Sequence, residues 1–214
     1  MALLKDSDRN AIRQQFQKLT GEVKLINFTQ ELECQYCRET NQIVKEVAEL
    51  SDKITAETYN FVTDKEVADR FNIDKIPATV VMGEEDRGIR FYGIPSGYEF
   101  ASLLESIQMA STGESGLGKA SREILAQLKK PVHLQVFVTP MCPYCPRAVS
   151  LAHKMAFESQ QVTADMVEIT EFPHLAVKYQ VRGVPRTVIN EDIHIEGAMP
   201  EAGVMEKIKT LIGD

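Results

Sequence analysis

Cys34-Gln35-Tyr36-Cys37 and Cys142-Pro143-Tyr144-Cys145 lie 108 residues apart, and the same interval separates Ile76-Pro77 from Val184-Pro185. Each Cys-x-x-Cys therefore stands 43 residues ahead of an aliphatic-Pro dipeptide. Each dipeptide leads into a β-branched run, Thr79-Val80-Val81 or Thr187-Val188-Ile189. Two nested features that repeat at one interval mark an internal duplication, and a duplicated chain folds as two like units. A chain of 214 residues gives each unit the size of a small domain. The turn-forming run from Ser111 through Gly113 and Gly116 to Gly118 separates them, which sets the expected units at 1–112 and 113–214.

The flanks repeat as well. Val23 to Thr29 and Val132 to Thr139 are rich in Val, Ile, Leu and Phe, as buried or half-buried strands are. A short helical pattern precedes each: Ile12, Phe16 and Leu19, then Ile124, Leu125 and Leu128. A longer one follows each Cys pair, on Ile43, Val44, Val47 and Leu50 and on Ala148, Leu151, Ala152 and Met155. Strands are expected over 58–62 and 164–169, and short helices over 64–71 and 171–179. Beyond each Pro dipeptide an edge-type strand ends at Gly93 or Gly197, and a last helix covers about 98–109 or 200–212. The order α-β-α-β-α-β-β-α, given twice, predicts an α/β fold in which each unit is a mixed sheet sandwiched by helices.

Composition narrows the function classes. A formal net charge of −7 with no basic run argues against a nucleic-acid partner. No stretch reaches the roughly 20 apolar residues that span a bilayer, and Met1 to Asp6 lacks the apolar run of a signal peptide. The expected setting is cytoplasmic, with no membrane partner. The four cysteines form only these two close pairs. Thiols in such a compartment are kept reduced, and a bridge over two residues closes too small a loop to add much stability. Chemistry is the better account of them.

Disulfide exchange needs a thiolate, which a helix N-terminus favours through its unpaired N–H groups and partial positive charge. Cys34 and Cys142 each fall between a predicted strand and a predicted helix. The two-residue spacing puts the second sulfur within one turn, ready to resolve a mixed disulfide. Pro143 suits a first helical turn, where its missing N–H has no intrahelical partner. The sites differ: Thr139-Pro140-Met141 precedes Cys142 without charge, whereas the stretch before Cys34 is two residues longer and carries Glu31 and Glu33. Nearby carboxylates disfavour a thiolate, so Cys142 is expected to be the faster nucleophile.

Cys-Pro-Tyr-Cys at 142–145 resembles the glutaredoxin active site, and Val184-Pro185 resembles the cis-Pro loop of the thioredoxin superfamily. Two such units, with Cys34-Gln35-Tyr36-Cys37 in the first, resemble the glutaredoxin-like protein disulfide oxidoreductases over nearly the whole chain. The resemblance implies two tandem thioredoxin-like folds with Cys34, Cys37, Cys142 and Cys145 as redox centres. It implies a cis-Pro facing each pair, with Ile76, Pro77, Val184, Pro185, Tyr36, Pro143 and Tyr144 shaping the substrate surface. Protein disulfides would be the substrates, a thioredoxin-reductase-like protein the electron donor, and the redox-active disulfides themselves the only redox group, with no cofactor. The chain lacks the Trp that precedes the Cys pair in thioredoxin itself.

Three other readings compete. Two Cys-x-x-Cys pairs can form a four-cysteine metal site, zinc or a bridged iron–sulfur cluster, but structural zinc pairs sit close in sequence and these do not. The amino-terminal region of the flavoprotein that reduces alkyl hydroperoxide peroxiredoxins also has two such units. One Cys pair is lost there, whereas both remain here, so an electron relay to a peroxiredoxin system stays open. A silent binding module leaves four cysteines unexplained. His133, His153, His174 and His194 lie outside the motifs, and surface or packing roles suit them.

Overall fold

The computed structural model describes residues 3–212; Met1 and Ala2 of the amino-terminal stretch and Gly213 and Asp214 of the second unit lie outside it. The first unit runs α1 (Asp6–Phe16), β1 (Val23–Thr29), α2 (Cys37–Ala48), β2 (Ile54–Asn60), α3 (Lys65–Arg70), β3 (Ala78–Met82), β4 (Ile89–Tyr92) and α4 (Glu99–Thr112). The second runs α5 (Lys119–Leu125), β5 (Val132–Val138), α6 (Cys145–Glu158), β6 (Val162–Glu168), α7 (Pro173–Lys178), β7 (Arg186–Ile189), β8 (Ile193–Glu196) and α8 (Glu201–Lys209). The duplicated α-β-α-β-α-β-β-α order stands.

The strands do not form two separate sheets. Among the described residues they join in one eight-stranded sheet, ordered β2-β1-β3-β4-β6-β5-β7-β8. Strands β4 and β6 fuse the units, running parallel from Ile89 beside Ala164 to Tyr92 beside Val167. The sequence reading of β4 as an edge strand is therefore corrected: its four residues are all buried, and only β8 of the pair lies at an edge. Within Ile89-Arg90-Phe91-Tyr92, Arg90 carries a charge into the interior. The fold accommodates that charge by giving it Asp86, at 2.7 and 2.6 Å, and the Phe71 carbonyl. Asp86, in the turn between β3 and β4, is thus the counter-ion of a buried guanidinium.

Strand alternation explains two cores, one on each face of the sheet. Val132, Leu134, Val136 and Val138 of β5 face a core shared with α1, α2, α4, α5, α6 and α8, which runs without a break from Ile12 to Ile208. Phe28, Phe137, Val80 and Val188 face the other core, under the short helices α3 and α7. Strand β2 begins four residues before the expected 58–62, in register with β1 from Val23 beside Ile54. It lies at a free edge, where Thr55 and Glu57 break the apolar pattern that marks a strand. Strand β6 also starts earlier than expected, at Val162. Helix α4 runs on to Thr112, and Gly113 caps it in the left-handed region (φ 77°), a conformation glycine adopts without a side-chain penalty.

Candidate active site

Each Cys pair stands where a strand gives way to a helix. Strand β1 ends at Thr29, the chain loops through Glu33, and α2 begins at Cys37; β5 ends at Val138 and α6 begins at Cys145. Both pairs are closed as disulfides, Cys34–Cys37 and Cys142–Cys145, with Cα atoms 5.5 and 5.4 Å apart. The inner sulfurs are sealed, Cys145 being 0% and Cys37 1% exposed. Cys34 is half-buried and Cys142 is 7% exposed, so the outer cysteines are the ones a partner reaches. Tyr36 and Tyr144 occupy the N-cap positions, so Pro146 lies in the first turn of α6, whereas Pro143, expected there, stands just before the cap.

Strand register brings the Pro dipeptides to the same end of the sheet. Phe28 pairs with Ala78 and Phe137 with Arg186, so Pro77 lies beside the end of β1 and Pro185 beside the end of β5. Both Ile76-Pro77 and Val184-Pro185 are cis. Ile76 and Val184 are half-buried, while Pro143 and Tyr144 are exposed. All the residues singled out in the sequence thus gather in two clusters, one per unit.

The fused sheet adds residues that no motif announced. The loop between β4 and α4 of the first unit lies against the loop before Cys142. The Tyr98 N–H donates to the Pro140 carbonyl at 3.0 Å. Gly97 has φ 60°, and a Cβ there would stand 2.2 Å from the Pro140 oxygen, so only glycine permits this approach. On the same seam, the Ile94 N–H donates to Glu171 Oε1 at 2.7 Å. Burial pushes the Glu171 carboxyl up to about 7; the Ile94 hydrogen bond opposes that rise and the neighbouring Glu168 adds to it.

Helices α4 and α6 lie side by side in the same direction, since Tyr98 meets Pro140 and Ser106 meets His153 at 3.0 Å. Seven residues back from the Ser106–His153 contact, about 10 Å along each helix, stand Glu99 and Pro146. Glu99 therefore lies at the level of the Cys145 turn. It is 1% exposed, it accepts a hydrogen bond from Ser102 Oγ at 2.7 Å, and its other oxygen has no partner. Burial, only partly offset by Ser102, pushes its carboxyl up to about 7. A buried acid that exchanges its proton near neutrality, level with the sealed Cys145 turn, suits proton transfer during disulfide exchange. The available sequence signal was a polar stripe on the buried face of α4: Glu99, Ser102 and Ser106, at helical spacing.

Among the described residues no three His, Cys, Asp or Glu side chains converge as a metal cage, and no helix is long and apolar enough to cross a membrane. His153 is buried and its imidazole is held down to about 4 by that burial. Its Nε2 lies 3.2 Å from the Arg90 carbonyl, which only accepts, so Nδ1 accepts from the Ser106 hydroxyl.

The thioredoxin-domain family matches the chain twice, at residues 22–105 and 132–210. The structure of a protein disulfide oxidoreductase from Aeropyrum pernix K1 superposes with a TM-score of 0.93 at 29% identity, covering 100% of this chain and 95% of that one. The NTD_N/C domain of an alkyl hydroperoxide reductase from Enterococcus faecalis V583 gives 0.88 at 28% identity, covering 96% and 99%. A thioredoxin from Methanocaldococcus jannaschii is 34% identical over 79 residues, 36% of this chain and 93% of its own length. The chain spans about a third of the longer alkyl hydroperoxide reductase F subunits that it matches. With two matches over most of its length, two Cys pairs at helix N-termini and one continuous tandem fold, this chain belongs to the thioredoxin-domain family.

Proposed function

We propose that the chain is a thiol–disulfide oxidoreductase acting on protein disulfides through both Cys pairs, with residues 1–112 and 113–214 as its two units. The observation that carries this is the pair of disulfides at the N-termini of α2 and α6, each with its inner cysteine sealed and its outer cysteine the more exposed of the two. In the reducing direction Cys34 or Cys142, as thiolate, attacks one sulfur of a substrate disulfide. A mixed disulfide forms and the substrate's other sulfur leaves as a thiolate. Cys37 or Cys145 then attacks the enzyme's own sulfur in that bond, closing the internal disulfide and releasing the second substrate thiol. Two electrons and two protons pass to the substrate. Glu99 takes the proton from Cys145 as it becomes the attacking thiolate. Ile76, Pro77, Val184 and Pro185, with Tyr36, Pro143 and Tyr144, form the walls that hold an extended substrate peptide.

The electrons pass through the cysteines, with no cofactor, in a cytoplasmic setting, with a thioredoxin-reductase-like protein as donor. The likeness to the alkyl hydroperoxide reductase domain supports a second reading, in which the same pairs relay electrons within a peroxiredoxin system. Dithiothreitol-driven reduction of insulin disulfides tests the first. Turnover by the wild type, reduced in Cys34→Ser and in Cys142→Ser and lost when both are combined, is expected. No turnover by the wild type would remove the reading.

A further inference from the structure

The 108-residue repeat places the two redox sites in register, and across that register the charges change sign. Glu33, directly before Cys34, corresponds to Met141; Glu39 corresponds to Arg147; Asp74, in the loop leading to Pro77, corresponds to Arg182. Glu31 adds a further carboxylate to the longer first loop. Glu31, Glu33 and Asp74 are exposed, and so are Arg147 and Arg182. The cations of the first site leave its loop acids in excess. Arg38 is exposed and lines the cleft between α1 and α2 with Arg9, Lys45, Glu46 and Glu49, much as Arg147 lines one with Lys154 and Glu201. Lys75 lies over the Tyr92 ring and is paired with Asp74 at 2.6 Å, so Glu31 and Glu33 outnumber Arg38 among the outward charges.

At the second site no carboxylate occurs from Thr139 to Arg147. Glu99 and Glu168 are buried, and Glu171 is turned to the Ile94 amide. Arg186, beside Pro185, is matched by Glu196 at 2.6 Å, which leaves Arg147 and Arg182 as the outward charges. Apolar side chains mark both places as contact surfaces. Leu32 is 78% exposed between Glu31 and Glu33, and Val62 is exposed on the turn after β2, whose Phe61 N–H donates to the Thr29 carbonyl at the end of β1. Met141 and Tyr144 are exposed, and so is Tyr98 of the first unit, whose N–H is bonded to Pro140 next to Met141.

Resting on the oxidoreductase reading, we infer that the two sites divide their protein substrates by charge. The Cys34 site takes disulfides flanked by apolar and basic side chains; the Cys142 site takes those flanked by apolar and acidic ones. Like charge beside the disulfide repels and opposite charge attracts over the few ångströms between docked surfaces, so each site both selects and rejects.

The test uses the full chain in two variants, Cys142→Ser with Cys145→Ser to leave the first site and Cys34→Ser with Cys37→Ser to leave the second. The substrates are two synthetic peptides with one internal disulfide, flanked by Leu and Lys or by Leu and Glu, and dithiothreitol regenerates the dithiol. The first-site variant should favour the Lys peptide in kcat/KM by about fivefold at low salt, and the second-site variant should favour the Glu peptide similarly. Both preferences should shrink at high salt. Glu31→Gln with Glu33→Gln should erase the first preference, and Arg147→Gln with Arg182→Gln the second. The same preference in both variants overturns the inference while leaving the oxidoreductase reading standing. Failure of the intact protein to reduce either peptide overturns both.

Discussion

His153 of α6 and Ser106 of α4 meet at 3.0 Å inside the seam between the two units, and the other imidazole nitrogen reaches the Arg90 carbonyl on β4. One side chain of the second unit thus ties a helix and a strand of the first. The contact is polar, sealed and edge-on to Phe91 at 4.8 Å between ring centres.

His153→Ala should therefore destabilise the whole chain by about 3 kcal/mol, since it leaves a cavity and strands two buried polar groups. Breaking the nearby surface pair Lys154–Glu105 with Lys154→Ala should cost under about 1 kcal/mol. Urea unfolding of both variants measures the contrast; equal losses would remove the seam role of His153. The sign of the pH effect follows from its imidazole, held at about 4 against an ordinary 6.5. The unfolded chain binds the proton first as pH falls, so the wild type should lose stability between about 6.5 and 4, and His153→Ala should lose less there.

Glu99 gives the opposite slope. Its carboxyl, raised to about 7, holds a proton in the folded chain that the unfolded chain has released above its usual 4.5. Stability should fall as pH rises from about 4.5 to 7, by about 3 kcal/mol in all. Glu99→Gln should reduce that slope and leave the share contributed by Glu171, whose carboxyl is also raised to about 7. It should also slow turnover by the Cys142 pair at pH 7 by one to two orders of magnitude, and leave turnover by the Cys34 pair within twofold. A variant with the reduced slope and full second-site turnover would leave Glu99 as a packing residue only.

Gly97→Ala tests the contact between the units. Its methyl group would meet the Pro140 oxygen at 2.2 Å on a backbone at φ 60°. A loss of more than about 2 kcal/mol is expected, with slower alkylation or turnover at Cys142 and little change at Cys34. An unchanged melting temperature would show that the loop moves aside freely.

Iodoacetamide alkylation of the reduced protein, followed by peptide mass spectrometry, should label Cys142 several-fold faster than Cys34 at neutral pH. Glu31 and Glu33 precede Cys34, whereas only uncharged residues precede Cys142. Glu33→Gln should narrow the gap; equal rates in the wild type would remove the electrostatic account.

The duplication itself, the Cys pairs, the Pro dipeptides and nearly every helix and strand were legible because they rest on local signals: residue spacing, apolar periodicity and turn chemistry. The start of β2 was missed because an edge strand has polar positions where a central one is apolar. The place of β4 was missed because pairing partners leave no mark on a four-residue run: Ile89-Arg90-Phe91-Tyr92 reads alike at an edge or at a seam. Sequence alone determined that there are two like units and which cysteines pair in each. Only the tertiary structure decided that the units share one sheet, and hence that Glu99, Gly97 and Tyr98 of the first attend the cysteines of the second. These residues lie about 40 positions from Cys142, and what they do depends on burial and on neighbours that only long-range packing creates.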